Sequence, residues 1–254
     1  NLPYVRVGTF PYYYALGMPS VSVDIPECGR TAARFFAERG YKYLAFVGND
    51  PWGDSREMYE KFRESAEMLG CKHFLHQICK RSTSPAQFSP EEWTKSQNKI
   101  LVEWVKSLPK PVGLFAHNDM FASRLTLFLS AAGLSVPDEV CILGMGNDEF
   151  TCEASLVSIS SIEHNWEEMW RASIEMLNDL IEGREPSTDT VYIPPKGIIE
   201  RGSTDVVPAH DASVSAALKF IRENFAKDIT TEMILSAAKV SRSTLERRFK
   251  DCLG

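Results

Sequence analysis

The sequence predicts an α/β protein built on a parallel sheet, followed by a small all-α unit. Three observations carry this. Short apolar, β-rich runs alternate with segments of helical spacing from about residue 20 to residue 181. Strands that are apolar throughout and separated by helices pack as a parallel sheet covered on both faces. Beyond residue 211 only helical spacing continues, and the charge changes sign. The formal net charge is −6, yet residues 213–254 hold eight basic and five acidic side chains, a charge of +3 that leaves −9 for residues 1–212. Such an asymmetry marks two modules with different partners.

The elements follow in order. Val21–Val23 reads as a strand and Pro26–Arg39 as the helix after it, with Pro26 at a first-turn position and Gly40 where a helix ends. Strand Tyr43–Val47 leads to helix Ser55–Leu69, closed by Gly70. A weaker strand lies near His73–Ile78. Ser82–Ser89, STSPAQFS, reads as a surface loop before helix Pro90–Ser107. Strand Val112–Phe115 precedes helix Asp119–Ala132 and Gly133. Strand Val140–Leu143 is followed, after a longer loop, by helix Asn165–Ile181 and Gly183. Turn formers cluster at 202–211, GSTDVVPAHD, which reads as a linker. In the tail, Val214, Leu218, Ile221 and Phe225 form one stripe of a helix that Asp211 can cap. Two short helices follow. Thr230 or Thr231 caps the first, to about Ala238, and Ser241 the second, to about Cys252. Leu235, Ala238, Val240, Leu245 and Phe249 face inward.

Several function classes are disfavoured. No stretch approaches the roughly 18 consecutive apolar residues of a membrane span, and no basic-then-apolar leader opens the sequence. The six cysteines are scattered, without CxxC, and read as reduced thiols, so a cytoplasmic location is expected. GLFAHND (113–119) contains no nucleophile elbow. His73 and His76 have HxxH spacing but no clear third ligand. Glu167–Glu168 reads as a solvated helix face. Neither enzymatic activity, a metal nor a cofactor is expected.

Ligands of open parallel sheets collect beyond the carboxyl ends of the strands. Reading forward from each strand end gives Asp24 and Glu27; Asn49, Asp50, Trp52 and Arg56; His117, Asn118 and Asp119; and Asn147, Asp148 and Glu149. The set has carboxylates, amides, an arginine and an indole but no glycine-rich phosphate cradle. It suits a neutral polyhydroxy ligand, with Trp52 as an apolar face. Asp and Asn after strands are equally at home as helix N-caps, and both readings stay open here.

Residues 18–48, MPSVSVDIPECGRTAARFFAERGYKYLAFVG, resemble the LacI/GalR-type sugar-sensing domain, as do 54–70, 111–122, 136–150 and 158–183 in the same order. The resemblance implies the two-lobed fold of type I periplasmic binding proteins over residues 1–201. It places Asp24 at the cleft mouth, Arg56 on sugar hydroxyls, and Asn118 and Asp119 at the ligand. Where the family pattern is G-x-D-[DN], this sequence has Gly144-Met145-Gly146-Asn147, so Asn147 or Asp148 substitutes for the first acid. One lobe, about 42–160, looks complete. The other is represented by 1–40 and 164–183, so the sequence reads as part of a longer chain with an incomplete first lobe.

The tail, 212–254, resembles the first helix-turn-helix of AraC-type activators. The family's pattern, an alanine followed by [SP]-x-x-x-[LF]-x-x-x-F, is approached by Ala237, Ser241 or Arg242, Leu245 and Phe249, with Lys239 where the family usually has glycine. A second helix of this kind offers its residues to the DNA major groove, here Ser241, Arg242, Ser243, Thr244, Arg247 and Lys250. The order of parts is similar to that of the xylose operon regulators of bacteria. That resemblance implies a pentose ligand, D-xylose first, a double-stranded operator, a homodimer and an activating role. The alternative is a binder of another sugar, for sensing or transport, whose last helices serve oligomerisation.

Overall fold

The computed structural model describes residues 2–8, 18–48, 54–77, 95–184, 190–206, 208–209 and 211–253. In chain order the elements are β1 (Arg6–Val7), β2 (Ser20–Val23), α1 (Ile25–Glu38), β3 (Tyr43–Gly48), α2 (Asp54–Met68), β4 (Lys72–Gln77), α3 (Lys95–Ser107), β5 (Val112–Ala116) and α4 (Asp119–Ala131). They continue with β6 (Val140–Gly146), α5 (Glu149–Glu153), β7 (Ser160–Glu163), α6 (Trp166–Ile181), β8 (Thr190–Ile193), β9 (Gly197–Ile199), α7 (Ala212–Asn224), α8 (Thr231–Ala238) and α9 (Arg242–Leu253).

The expected strands and helices lie within one to three residues of these bounds. The loop 82–89 and the start of the helix at Pro90 fall outside the described residues.

Six strands form one sheet in the order β4-β3-β5-β6-β7-β9, parallel except for β9, which runs antiparallel to β7. A second parallel sheet has the order β1-β2-β8. Alternation within β3 sets the layers: Leu44 and Phe46 join the core with α1 and α2, while Ala45 and Val47 join the one with α3 and α4. Helices α1 and α2 approach so closely at Gly29 that a Cβ there would lie 2.2 Å from the Met58 carbonyl oxygen. Along α6, Met169, Ser173 and Met176 are buried, and Trp166, Trp170, Ile174 and Ile181 are exposed. No described helix is long and apolar enough to cross a membrane.

The expected linker at 202–211 does not begin at 202. Gly202–Thr204 is a 3-10 turn with Ser203 and Thr204 buried. Ser203 Oγ donates to the Ile142 carbonyl at 2.6 Å and accepts from Ser160 N at 2.9 Å, while the Ser160 and Thr204 hydroxyls meet at 2.6 Å. Ser203 and Thr204 thus form a turn and also stitch it to the sheet.

In the tail, Asp211 Oδ1 caps α7 by accepting from Ser213 N at 2.8 Å and Val214 N at 3.1 Å, and Thr230 Oγ1 caps α8 from Met233 N at 3.4 Å. Lys239 ends α8 in the left-handed region, φ 55°. Ala217, Ala238 and Leu245 form the centre of a small cluster with Ile234, Leu235, Val240 and Phe249, matching the expected inward set. The stripe read for α7 needs correction. Val214 and Ala217 are buried and Leu218 and Ile221 half-buried, but Phe225 is 79% exposed. Phe225 follows the last helical residue, where spacing no longer fixes direction.

Candidate functional site

Asn118 and Asn147–Asp148 follow the neighbouring strands β5 and β6 of the six-stranded sheet, Asp24 follows β2 of the other sheet, and local chemistry decides what each is free to do. Asp24 follows β2 and caps α1, its Oδ1 accepting from Glu27 N at 2.8 Å. Asn118 follows β5 and caps α4, its Oδ1 accepting from Phe121 N at 2.8 Å. Asp148 caps α5 and takes the Thr151 hydroxyl at 2.6 Å; hydrogen bonds from Thr151 hold its carboxyl below the usual range. The capping reading is thus realised for all three. It uses one amide oxygen of Asn118 and one carboxylate oxygen of Asp24, leaving the other polar atom of each. Arg56, in the first turn of α2, has its side chain 70% exposed with Nε 3.0 Å from Glu60 Oε1. Trp52, Asn49 and Asp50 lie outside the described residues.

Asp119 departs from expectation. It stands in the first turn of α4 yet is only 3% exposed, turned inward between β6 and β7. Its Oδ1 accepts from Ser161 Oγ at 2.5 Å and its Oδ2 from Asp148 N at 2.8 Å. Burial raises its carboxyl above the ordinary value despite those hydrogen bonds. Gly144 makes room for it, since a Cβ there would lie 2.3 Å from Asp119 Oδ1. Asp119 therefore braces the β6–α5 loop from within.

Asn147 sits in that loop with φ 53°. Its N donates to Ser161 Oγ at 3.0 Å, and its Oδ1 accepts from Arg201 Nη2 at 3.0 Å. Ser161 and Arg201 escape sequence reasoning. Neither directly follows an apolar run, and Arg201 is 54 positions from Asn147.

His117 and His164 follow β5 and β7, and burial depresses both imidazoles to about 4, so they are neutral at pH 7. Among the described residues, His117 Nδ1 and His164 Nε2 are buried without a hydrogen-bond partner. Cys28, Cys141 and Cys152 are buried thiols pushed up to about 12, first of all by desolvation, which leaves no activated thiolate among them. A cavity of about 580 Å³ lies at the opposite end of α1 from Asp24, beside the Arg39–Glu200 ion pair and Pro208. It is not at the strand ends. Among the described residues no group of His, Cys, Asp and Glu is placed to hold a metal.

A second candidate surface is α9. Ser241, Arg242, Ser243, Arg247 and Lys250 are exposed and Thr244 half-buried. Ser241 and Thr244 hydroxyls meet at 2.8 Å, and Arg242 Nε donates to Glu246 Oε1 at 2.8 Å. Arg247 and Lys250 carry no ion pair among the described residues. Arg248 points back instead, donating to Ser213 Oγ at 2.7 Å.

The model of the periplasmic binding protein-like domain family matches residues 33–204, more than half of the chain. The chain belongs to this family. Among periplasmic binding protein-like relatives, the xylose operon regulatory protein of Escherichia coli K12 is 29% identical over 262 residues, covering 100% of this chain and 64% of that protein. The Haemophilus influenzae xylose operon regulatory protein is 27% identical over 248 residues, covering 98% of this chain and 62% of its own length. The structure of a xylose-binding transcription activator superposes with a TM-score of 0.75 at 26% identity, covering 100% of this chain and 66% of that one. This chain thus spans less than two thirds of the length of these relatives, which carry the names of transcriptional regulators.

Proposed function

We propose that this chain is the sensing part, with the first DNA-reading helices, of a sugar-responsive transcription regulator that activates genes for pentose use, D-xylose first. In this reading residues 1–201 form the ligand-binding domain. Its lobes are 42–160 and 1–40 with 164–183, and residues 212–254 form a partial AraC-type helix-turn-helix domain. The observation that carries the reading is the outward face of α9: Ser243, Arg247 and Lys250 stand in solvent while Leu245 and Phe249 hold the helix to its neighbours. That is the amphipathic form a groove-reading helix needs. The names of the relatives support the sugar and the regulatory role.

Asp24, Arg56, Asn118, Asn147 and Asp148 supply the ligand-facing polar groups, with Trp52 as the stacking face and Asp119 as the brace behind them. Sugar hydroxyls both donate and accept, so a mixed set of carboxylate, amide and guanidinium groups matches them. Sugar bound between lobes favours closure, and closure changes how two copies present α9 to a double-stranded operator in the cytoplasm. The ligand shifts that equilibrium only by its difference in affinity for the two states. Arginine and lysine would meet phosphates or guanine, and Ser243 and Thr244 base edges.

Gel-shift titration and calorimetry of the full-length protein test this together. Arg247→Ala is expected to weaken operator binding while leaving D-xylose affinity intact, and Trp52→Phe to remove a xylose-dependent fluorescence change. Unchanged operator binding by the Arg247 variant would overturn the DNA-reading assignment. A flat calorimetric panel across pentoses and hexoses would overturn the sugar.

A further inference from the structure

We infer that Arg201 is a positioning residue for the ligand cleft: it fixes the Asn147 amide so that the nitrogen faces the strand-end edge and the ligand group met there is a hydrogen-bond acceptor. This rests on the reading of that edge as the ligand site.

The guanidinium has five N–H donors and no acceptor. The Asn147 atom that it touches at 3.0 Å must therefore be the carbonyl oxygen, since a rotated amide would set donor against donor. Arg201 has little freedom to follow a rotation. Its side chain is only 10% exposed, Nε is 2.6 Å from Glu153 Oε1, and Nη1 donates to the Ile159 carbonyl at 2.9 Å. The backbone of Asn147 is held as firmly, in the left-handed region, by its hydrogen bond to Ser161. Ser161 in turn spends its proton on Asp119. With its oxygen turned to Arg201, Asn147 offers its two Nδ2 protons on the other side.

Asn118 repeats the pattern on the adjoining strand. Its Oδ1 is taken by Phe121 N, and β5 pairs directly with β6. Two neighbouring strand ends thus offer amide donors, which fit hydroxyl lone pairs or the ring oxygen of a sugar and do not accept from it.

The test uses the full-length protein, with D-xylose and its monodeoxy derivatives titrated by calorimetry. Asn147→Asp keeps the acceptor that Arg201 holds and replaces the outward donor by a carboxylate oxygen. Affinity for D-xylose should fall about tenfold or more, the scale of one lost hydrogen bond, with the melting temperature unchanged. Arg201→Gln should lower affinity as well, and Arg201→Lys should restore part of it. One deoxy sugar, lacking the oxygen that meets Asn147, should bind worse than D-xylose to the wild type but equally to Asn147→Asp and Arg201→Gln. Wild-type affinity in Asn147→Asp, or an equal loss for every sugar together with a lower melting temperature, would overturn the assignment. A wild-type chain that binds none of these sugars would remove the sugar reading instead. Exchange of the Asn147 side-chain amide protons in the ligand-free chain then still decides. Free exchange of both supports the inward oxygen, and protection of either refutes it.

Discussion

Asp138, in the loop before β6, is ion-paired with Arg222 of α7, and its carboxylate side chain is 6% exposed. Ser135 Oγ donates to the same carboxylate at 2.7 Å. The pair joins the tail helices to the parallel-sheet body.

Burial pushes the Asp138 carboxyl up, but the hydrogen bonds from Arg222 and Ser135 outweigh it and hold the group below the usual carboxylate range. A depressed acid stabilises the fold above its unfolded pKa of about 3.9 and loses that contribution as pH falls through the lower folded value. Arg222→Gln leaves the carboxylate without its cation and should cost about 2 kcal/mol at pH 7, less than a fully buried pair because Arg222 remains partly solvated. Hydrogen exchange should show residues 212–224 opening more often. Unchanged exchange in α7 would mean the pair does not hold the tail.

His117 and His164 also lose stability toward acid, but over a higher pH range. With folded values near 4 against an ordinary 6.5, the unfolded chain takes up protons first, so stability drops between pH 6.5 and 4. The loss is at most about 3 kcal/mol for each group. His164→Gln should narrow the gap between urea midpoints at pH 7.5 and pH 5. An undiminished gap would place the acid sensitivity elsewhere.

Gly29→Ala should be among the most damaging single-carbon additions in the chain. Its methyl meets the backbone of Met58 and Phe62, at 2.2 Å and 3.0 Å, so α1 and α2 must part. The cost is about 3 kcal/mol or more, readable as a lower urea midpoint. A midpoint within experimental error of wild type would contradict the close approach.

Lys239→Gly should act in the other direction. Lysine at φ 55° bears a steric cost that glycine does not. Glycine's larger unfolded-state entropy offsets part of that relief, so the net stabilisation is about 0.5–1 kcal/mol, confined to the tail. A melting temperature that falls would show that Lys239 makes a contact worth more than the strain.

The parts legible in the sequence were those governed by neighbours a few residues apart. Helical spacing and turn glycines located α1, α2, α4 and α6, and the caps at Asp211 and Thr230 stand where short polar residues precede apolar stripes. The left-handed turn at Lys239 was readable from a position where the resembling family carries glycine. What escaped depends on distant partners. Strand β7 reads SSIE, too polar for a core strand until Ser203 and Thr204 supply its hydrogen bonds from more than 40 residues away. The inward turn of Asp119 needs the absent side chain of Gly144 and the hydroxyl of Ser161, neither of which a strand-end rule includes. Position predicts that a polar residue reaches the edge; it does not predict which of its atoms is already taken.

The exposed face of α6 has a practical consequence. Trp166, Trp170, Ile174 and Ile181 lie along a line of about 22 Å at helical rise. A ribbon of that length is a handle for hydrophobic dyes and for other molecules. Solutions of these 254 residues alone should stain with anilinonaphthalene sulfonate and lose monodispersity at lower concentration than a charge of −6 would suggest. Replacing Trp170 and Ile174 by glutamate should restore colloidal behaviour without touching the strand-end edge.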